Sequence, residues 1–195
     1  MSKELINLVQ NLGQPRVLVI GDLMLDRYIW GNAERISQEA PVLLLRADHR
    51  EERLGGASSV ATLLRALGAK VSLCGVVGND HDGQRVRSIL ADLGVDHEGV
   101  VIDYDRPTTV KERYIGRAQA RHQQQMLRVD YEVRDALSKS LQDELTGILK
   151  EQLQHADVVL VSDYDKGVCC PELLTNLVSI ANMHGLRLLG AAVGG

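Results

Sequence analysis

Short apolar runs alternate along this chain with longer segments in which apolar residues recur every three or four positions. Runs bounded by turn residues are typical of buried strands, whereas the longer spacing is typical of amphipathic helices. The first run, residues 16–20, reads RVLVI and is followed by Gly21 and Asp22. The pattern predicts further strands at residues 71–77, 99–102, 158–161 and 186–189, and helices at residues 57–67, 82–93, 136–154 and 171–184. Strands that alternate with helices predict an α/β domain with a mostly parallel sheet.

Two regions, residues 28–54 and 105–130, interrupt this alternation. Each contains two strand-like segments with no helical spacing between them. These segments are residues 28–31 and 42–47 in the first region, and residues 108–115 and 124–129 in the second. We expect the last two segments to pair antiparallel, and both regions to form a small β-structure that projects from the main sheet.

The composition fits a globular domain and argues against several other classes. The 195 residues include no Phe, one Trp and five Tyr, so the core must be built from Leu, Val, Ile and Ala. The formal charge of −4 lacks the basic excess of nucleic-acid-binding proteins. No apolar run approaches the roughly 18–20 residues of a membrane span, and the first residues lack a signal-peptide core. We therefore expect a cytoplasmic protein that binds neither nucleic acid nor membrane.

The cysteines and histidines predict no metal site. Cys74, Cys169 and Cys170 show neither a CxxC pair nor zinc-ligand spacing, and no second histidine lies at ligand spacing from His122. The three cysteines are expected to be reduced thiols.

Charged side chains follow two of the predicted strands. Asp22 and then Asp26 follow the first strand, and Asp163 and Lys166 follow the strand at residues 158–161. Because ligands of open parallel sheets bind outside the carboxyl ends of the strands, Asp26 and Asp163 are candidate binding residues. Asp22 fits a structural role better, as an acceptor for nearby backbone N–H groups. The alternative for these acids is that they cap helices or face solvent.

Gly55 and Gly56 directly precede the predicted helix at residues 57–67. Two residues without Cβ atoms let backbone N–H groups approach a ligand closely, and a helix N-terminus favours polar or anionic groups. Many strand-to-helix turns also contain Gly-Gly, so the pair alone does not define a site. Neither GxGxxG nor GxxxxGK[ST] occurs in the sequence, so neither a dinucleotide fingerprint nor a P-loop is predicted.

The segment at residues 111–128 is locally basic within an acidic chain. Its basic residues are Lys111, Arg113, Arg117, Arg121 and Arg128, and its only acidic residue is Glu112. Guanidinium groups match phosphate oxygens in a bidentate geometry, so this segment could hold the phosphate of a small substrate. A solvated strand face with scattered arginines explains the same pattern equally well.

Three stretches of the sequence form a recognisable combination. They are residues 17–42 (VLVIGDLMLDRYIWGNAERISQEAPV), residues 53–83 (RLGGASSVATLLRALGAKVSLCGVVGNDHDG) and residues 158–168 (VVLVSDYDKGV). Together they resemble the ribokinase-like (PfkB) family of sugar kinases. Within the family, the patterns LDRYxxG, RISxEAP and SDYxKG are similar to kinases that act on D-glycero-β-D-manno-heptose 7-phosphate. The resemblance runs from about residue 15 to residue 189. It implies a ribokinase-like fold, in which helices flank a mostly parallel sheet and residues 28–54 and 105–130 form a small β-lid.

The resemblance implies ATP-dependent phosphorylation of the heptose 7-phosphate at C1, with ATP and Mg²⁺ as cofactors, in the synthesis of a lipopolysaccharide precursor. Asp26 would bind sugar hydroxyls, and Gly55 and Gly56 would present backbone to the sugar. Asp163 and Lys166 would line the same cleft from the next strand end.

The implied β-lid has two further roles. By closing over the sugar it would exclude water, which competes as an acceptor for the transferred phosphoryl group. It would also be the surface through which subunits pair into a homodimer. Lys111, Arg113 and Arg128 fall at the lid and its return strand, where they would meet a sugar phosphate.

Two features depart from the family's pattern. Ser59 stands where the family usually has Asn, and a hydroxyl offers fewer hydrogen bonds than an amide, so sugar recognition is expected to be weakened or altered. The Asn-x-x-Glu motif that serves Mg²⁺ and phosphate, and the Gly-Ala-Gly-Asp motif that supplies the general base, do not occur in this sequence. We therefore expect residues 1–195 to be the N-terminal portion of one kinase domain, with no catalytic or metal-binding residue assignable here. The alternatives are a non-catalytic sugar-phosphate-binding or interaction module, and a kinase for another sugar.

Overall fold

The computed structural model describes residues 13–117 and 122–192, together with the isolated positions 3, 4, 7 and 11. The main sheet contains five parallel strands, which are β1 Arg16–Gly21, β4 Lys70–Gly78, β5 Val100–Asp103, β8 Val158–Asp163 and β9 Arg187–Ala192. Their order across the sheet is β5-β4-β1-β8-β9. The mostly parallel sheet predicted from the hydrophobic pattern is confirmed.

Helices cover both faces of the main sheet. They are α1 Gly56–Ala66, α2 His81–Asp92, α3 Lys139–Gln152 and α4 Pro171–Met183, and a short 3₁₀ turn, Leu153–His155, extends α3. Successive side chains of β1 point to opposite faces, so Val17 and Val19 join one core cluster while Leu18 and Ile20 join the other. α1 and α2 pack on the first cluster and α3 and α4 on the second. This two-sided burial explains why the strands read as continuous apolar runs.

Several helix starts follow directly from local sequence. The Asp80 carboxylate accepts a hydrogen bond from the Gly83 backbone N–H at 2.7 Å and caps α2. The Ser138 hydroxyl accepts from the Leu141 N–H at 3.4 Å and caps α3. Pro171 occupies the first turn of α4, where its missing N–H costs no helical hydrogen bond. Within the described part of the chain, no helix has both the length and the apolar character needed to cross a membrane.

The two regions that interrupt the alternation form a four-stranded sheet, called here the second sheet. It comprises β2 Leu23–Ile36, β3 Leu43–Gly55, β6 Val110–Arg117 and β7 Gln123–Tyr131, in the order β3-β2-β6-β7. β6 and β7 pair antiparallel, which confirms that prediction, and β2 lies antiparallel to β3 and parallel to β6. That this sheet acts as a lid remains a prediction.

β2 and β3 are much longer than the segments predicted at residues 28–31 and 42–47, with 14 and 13 residues respectively. Charged residues such as Arg27, Glu51 and Arg53 interrupt the apolar alternation, so the hydrophobic pattern predicts strands that are too short. The structure tolerates them because most positions in these strands are not fully buried, and because many of the charges pair within the sheet or with α2.

A cluster of ion pairs fastens the second sheet to α2. Arg27, whose side chain is 9% exposed, donates from Nε to Glu52 Oε1 at 3.0 Å and from Nη2 to Asp82 of α2. Arg85 of α2 donates to Glu52 Oε2 at 3.0 Å, and Arg50 donates to Glu52 Oε1 at 2.8 Å. Burial alone would raise the pKa of Glu52, but the hydrogen bonds from these three arginines outweigh it and lower the pKa to about 2.

We predict that Glu52 contributes to stability above its unfolded-state pKa of about 4.5, and that this contribution is lost as the pH falls towards 2. The expected loss is about 1–2 kcal/mol, allowing for solvent screening. Glu52→Gln should already be less stable at pH 7 and should show a shallower decline between pH 5 and pH 2, as measured by urea unfolding.

Glu144→Gln, which removes an exposed carboxylate on α3, serves as the matched control. It should follow the wild-type pH profile. Parallel profiles for the wild type and Glu52→Gln would contradict the prediction.

Candidate functional site

Asp22 connects the carboxyl ends of β1 and β8. Its side chain is buried, and Oδ2 accepts hydrogen bonds from the backbone N–H groups of Tyr164 at 2.7 Å and Lys166 at 3.2 Å. Oδ1 accepts from the Val168 N–H at 3.2 Å. Burial raises the pKa of Asp22, and the nearby Asp163 charge adds to this, while the three backbone donors act in the opposite direction. The carboxylate therefore acts as the structural acceptor that the sequence favoured.

Asp26 and Gly55, two of the predicted binding residues, lie side by side where the second sheet meets the main sheet. Asp26 Oδ1 accepts a hydrogen bond from Arg113 Nη1 at 2.7 Å. A Cβ atom built on Gly55 would lie 2.7 Å from Asp26 Oδ2. Glycine at position 55 therefore leaves the space that this second carboxylate oxygen occupies.

Gly56 has a different function from its neighbour. Its φ of +56° lies in the left-handed region, and a Cβ there would clash with the carbonyl oxygen of Asp22. That carbonyl accepts from the Ala57 N–H at 2.8 Å, which sets the start of α1 against the end of β1. The backbone conformation at position 56 thus requires glycine.

Ser59 lies in the first turn of α1. Its hydroxyl donates to the Gly56 carbonyl at 2.8 Å, and the neighbouring Ser58 hydroxyl donates to the Gly55 carbonyl at 2.7 Å. Because the Ser59 proton is engaged with the backbone, this residue can offer a ligand only oxygen lone pairs.

Asp163 is the last residue of β8, and Lys166 lies in the loop that follows it. Asp163 is half-buried, and its Oδ1 accepts from the Asp165 N–H at 2.9 Å. Lys166 Nζ lies 3.3 Å from Glu132 Oε2, just beyond the end of β7, and the lysine side chain is only 8% exposed. Both residues are anchored near Asp22, but the Lys166 ammonium is paired with Glu132, a partner that the sequence did not suggest.

The basic side chains of residues 111–128 pair with several different carboxylates. Lys111 Nζ lies 3.6 Å and Arg128 Nε lies 2.9 Å from the two oxygens of Asp130. Arg113 pairs with Asp26 instead. The three cations share one face of the second sheet, since Lys111 and Arg113 are two residues apart and Arg113 lies opposite Arg128. Arg117 pairs with Asp48, and Arg121 lies outside the described residues.

The same face carries residues that the sequence did not single out. The Tyr28 and Trp30 rings stack with centroids 5.5 Å apart, and Trp30 lies 5.0 Å from the His49 ring. The guanidinium carbons of Arg53 and Arg113 lie 5.3 and 5.1 Å from the Tyr28 ring centroid. Together with Asp26, these residues define what we call the Asp26 face. The sequence contains a signal for this face, because Asp26, Tyr28 and Trp30 alternate along β2. A strand predicted to begin before residue 28 would have placed these three side chains on one face.

The described residues do not fit a metal site, because no group of three or more His, Cys, Asp and Glu side chains converges among them. The three cysteines carry no disulfide. Burial raises the pKa of Cys74 to about 12 and also raises that of Cys169, to which the Asp22 and Asp163 charges contribute. Such thiols stay protonated and make poor metal ligands.

The pattern of the pfkB family carbohydrate kinases matches residues 14–190. This chain belongs to that family. Its similarity to "Bifunctional protein HldE" is 45% identity over 174 residues in Helicobacter pylori strain J99 and 41% over 175 residues in Sulfurimonas denitrificans. These alignments cover 89% and 90% of the chain but only 36% of each relative. The chain thus spans about a third of the length of the curated relatives it matches.

Solved structures show the same pfkB fold. The Arabidopsis thaliana ribokinase complexed with ribose and ATP aligns with a TM-score of 0.63 at 16% identity, covering 93% of this chain and 55% of the ribokinase. Tetrameric inhibited phosphofructokinase-2 from Escherichia coli aligns with a TM-score of 0.64 at 20% identity, covering 93% and 56%. The predicted ribokinase-like α/β fold is therefore confirmed.

We predict that Asp22→Ala destabilises this pfkB domain by about 2–4 kcal/mol, because three backbone N–H groups lose their acceptor. Urea unfolding at pH 7 measures the change. Asp92→Ala removes an exposed carboxylate at the end of α2 and should change stability by less than about 0.5 kcal/mol. Equal effects of the two substitutions would show that Asp22 does not hold the loop after β8.

Proposed function

We propose that this chain forms the sugar-binding part of a kinase that phosphorylates D-glycero-β-D-manno-heptose 7-phosphate at C1, using ATP. The observation that carries the proposal is the Asp26 carboxylate, with Oδ1 held by Arg113 and Oδ2 resting over Gly55. The patterns LDRYxxG, RISxEAP and SDYxKG support heptose 7-phosphate as the substrate. A reaction that consumes ATP also supports a cytoplasmic location.

In this proposal, the Asp26 carboxylate accepts hydrogen bonds from sugar hydroxyls. Its orientation is set before the sugar arrives, because Arg113 holds one oxygen and the Gly55 backbone leaves room for the other. Asp163 and the Lys166 loop would border the sugar from the end of β8, held in place by Asp22. The second sheet would close over the sugar and exclude water from the phosphoryl transfer.

ATP and Mg²⁺ are the expected cofactors of the proposed reaction. The residues described here do not form a metal cluster, and the sequence contains no P-loop. We therefore assign to this chain the binding and orientation of the sugar, and no step of the phosphoryl transfer itself.

A second proposal is a sugar-phosphate-binding module without catalysis. It is favoured by the absence of a convergent metal-ligating group from the described residues. Both proposals require the same sugar site. Steady ATP-dependent phosphorylation by the purified chain, measured as ADP release, would contradict the second.

The sugar site can be tested through Trp30, the one tryptophan of the sequence, which stacks on Tyr28 beside Asp26. Heptose 7-phosphate should change its fluorescence saturably. Asp26→Asn should weaken binding by about tenfold or more, because a charged acceptor is lost. Gly55→Ala should weaken it severalfold, since the new methyl group displaces Asp26 Oδ2.

Asp143→Asn, which removes an exposed carboxylate on α3, is the matched control and should bind like the wild type. Wild-type protein without saturable heptose 7-phosphate binding would overturn the substrate assignment. Tighter binding of ribose or fructose than of heptose 7-phosphate would transfer the proposal to another sugar.

We further propose that the chain forms a homodimer through the face of the second sheet opposite the Asp26 face. Ile29, Tyr114 and Leu127 lie side by side across β2, β6 and β7 on this opposite face, and Leu127 is 56% exposed. Exposed apolar surface of this kind is typical of subunit contacts.

Leu127→Lys should convert the dimer to a monomer, because it places a charge in the contact. Sedimentation velocity measures the oligomeric state. Leu67→Lys, at an 84% exposed position after α1, should leave the dimer intact. A monomeric wild type, or a dimer that persists in Leu127→Lys, would contradict the proposal.

A further inference from the structure

Two arginines from different strands converge on one tyrosine of the Asp26 face. β2 lies between β3 and β6, and Tyr28 is opposite Glu51 on one side and Arg113 on the other. The guanidinium carbons of Arg53 and Arg113 lie 5.3 and 5.1 Å from the Tyr28 ring centroid. Cation–π attraction holds each arginine near the ring, so both positive charges lie close to Tyr28.

Each of these arginines is anchored by only part of its guanidinium group. Arg113 donates from Nη1 to Asp26 Oδ1 at 2.7 Å and to the Lys111 carbonyl at 3.3 Å. Arg53 donates from Nε to Glu51. Within the described part of the chain, Nε and Nη2 of Arg113 and both terminal nitrogens of Arg53 have no hydrogen-bond acceptor. A guanidinium carries five N–H donors, so both groups can bind an anion without releasing their anchors.

Two further cations of this face, Lys111 and Arg128, are less available. Lys111 and Arg128 both contact Asp130, at 3.6 and 2.9 Å, so one carboxylate is shared between them. Arg53 is paired with Glu51 at a site where its side chain is 61% exposed, and exposed pairs of this kind contribute little energy. The Arg53–Glu51 pair therefore offers little competition to a phosphate.

We infer that Arg53 and Arg113, which both contact the Tyr28 ring, form the phosphate subsite for a phosphorylated sugar. The inference rests on the proposed function and adds Arg53, from β3, to the sugar site. A phosphate dianion placed there accepts bidentate hydrogen bonds from both guanidiniums and offsets their mutual repulsion. Arg113 then contacts both ends of the ligand, the phosphate directly and the sugar hydroxyls through Asp26.

The test compares heptose 7-phosphate with unphosphorylated heptose, using Trp30 fluorescence on the 195-residue chain. Arg53→Gln should weaken heptose 7-phosphate binding by about 10- to 100-fold, as expected for loss of charge-assisted hydrogen bonds. It should change heptose binding by less than about twofold, because Asp26 and Arg113 remain. Arg53→Lys should recover part of the lost affinity for heptose 7-phosphate. Arg113→Lys should weaken the binding of both ligands, since it also removes the hydrogen bond that holds Asp26.

Arg46→Gln removes the same charge from an exposed position of β3 and is the matched control. It should retain wild-type affinity for both ligands. Thermal unfolding of each variant separates a loss of binding from a loss of folding.

Other outcomes separate this subsite from the proposed function. If the wild type binds heptose 7-phosphate and Arg53→Gln weakens both ligands equally or neither, the subsite is wrong and the function stands. If the wild type binds fructose 6-phosphate instead, and Arg53→Gln abolishes that preference over fructose, the substrate is wrong and the subsite stands. A wild type that binds none of these sugar phosphates overturns both.

Discussion

The buried carboxylate of Asp22 is the interaction on which the site depends. Its two oxygens satisfy three backbone N–H groups of the loop after β8, while its own carbonyl receives the N–H that begins α1. A buried carboxylate is stable only when such donors surround it, so the loop and the helix start are fixed in relation to β1. The positions of Gly56 and Lys166 follow from that constraint.

The second sheet continues outwards from this region, and its two faces differ in chemical character. The Asp26 face collects an acid, two aromatic rings and several cations, which suits a polar ligand with a negative group. The opposite face presents Ile29, Tyr114 and Leu127 and is suited to contact with another protein surface. Strand alternation makes this separation automatic, because neighbouring residues point in opposite directions.

The main sheet and its helices were predictable from the sequence because the buried strands are continuously apolar and the helices keep a regular spacing. β2 and β3 were predicted too short, since their charged residues are neutralised by partners that are distant in sequence, such as Glu52 with Arg27. Asp26 and Gly55 could be singled out from the residues beside them. Arg53 and the Lys166–Glu132 pair could not, because those contacts depend on strand register and on a pairing across 34 residues.

β2 runs without a break from the hydrophobic core to the outer part of the second sheet. Leu23 and Leu25 are buried in the main core, whereas the irregularities in pairing with β3 occur only beyond Trp30. Bulges are where a sheet bends most readily, so bending would concentrate in the outer half. The inner half, which holds Asp26 and Tyr28, is thereby preorganised, and a ligand bound there would lose little free energy to ordering the protein.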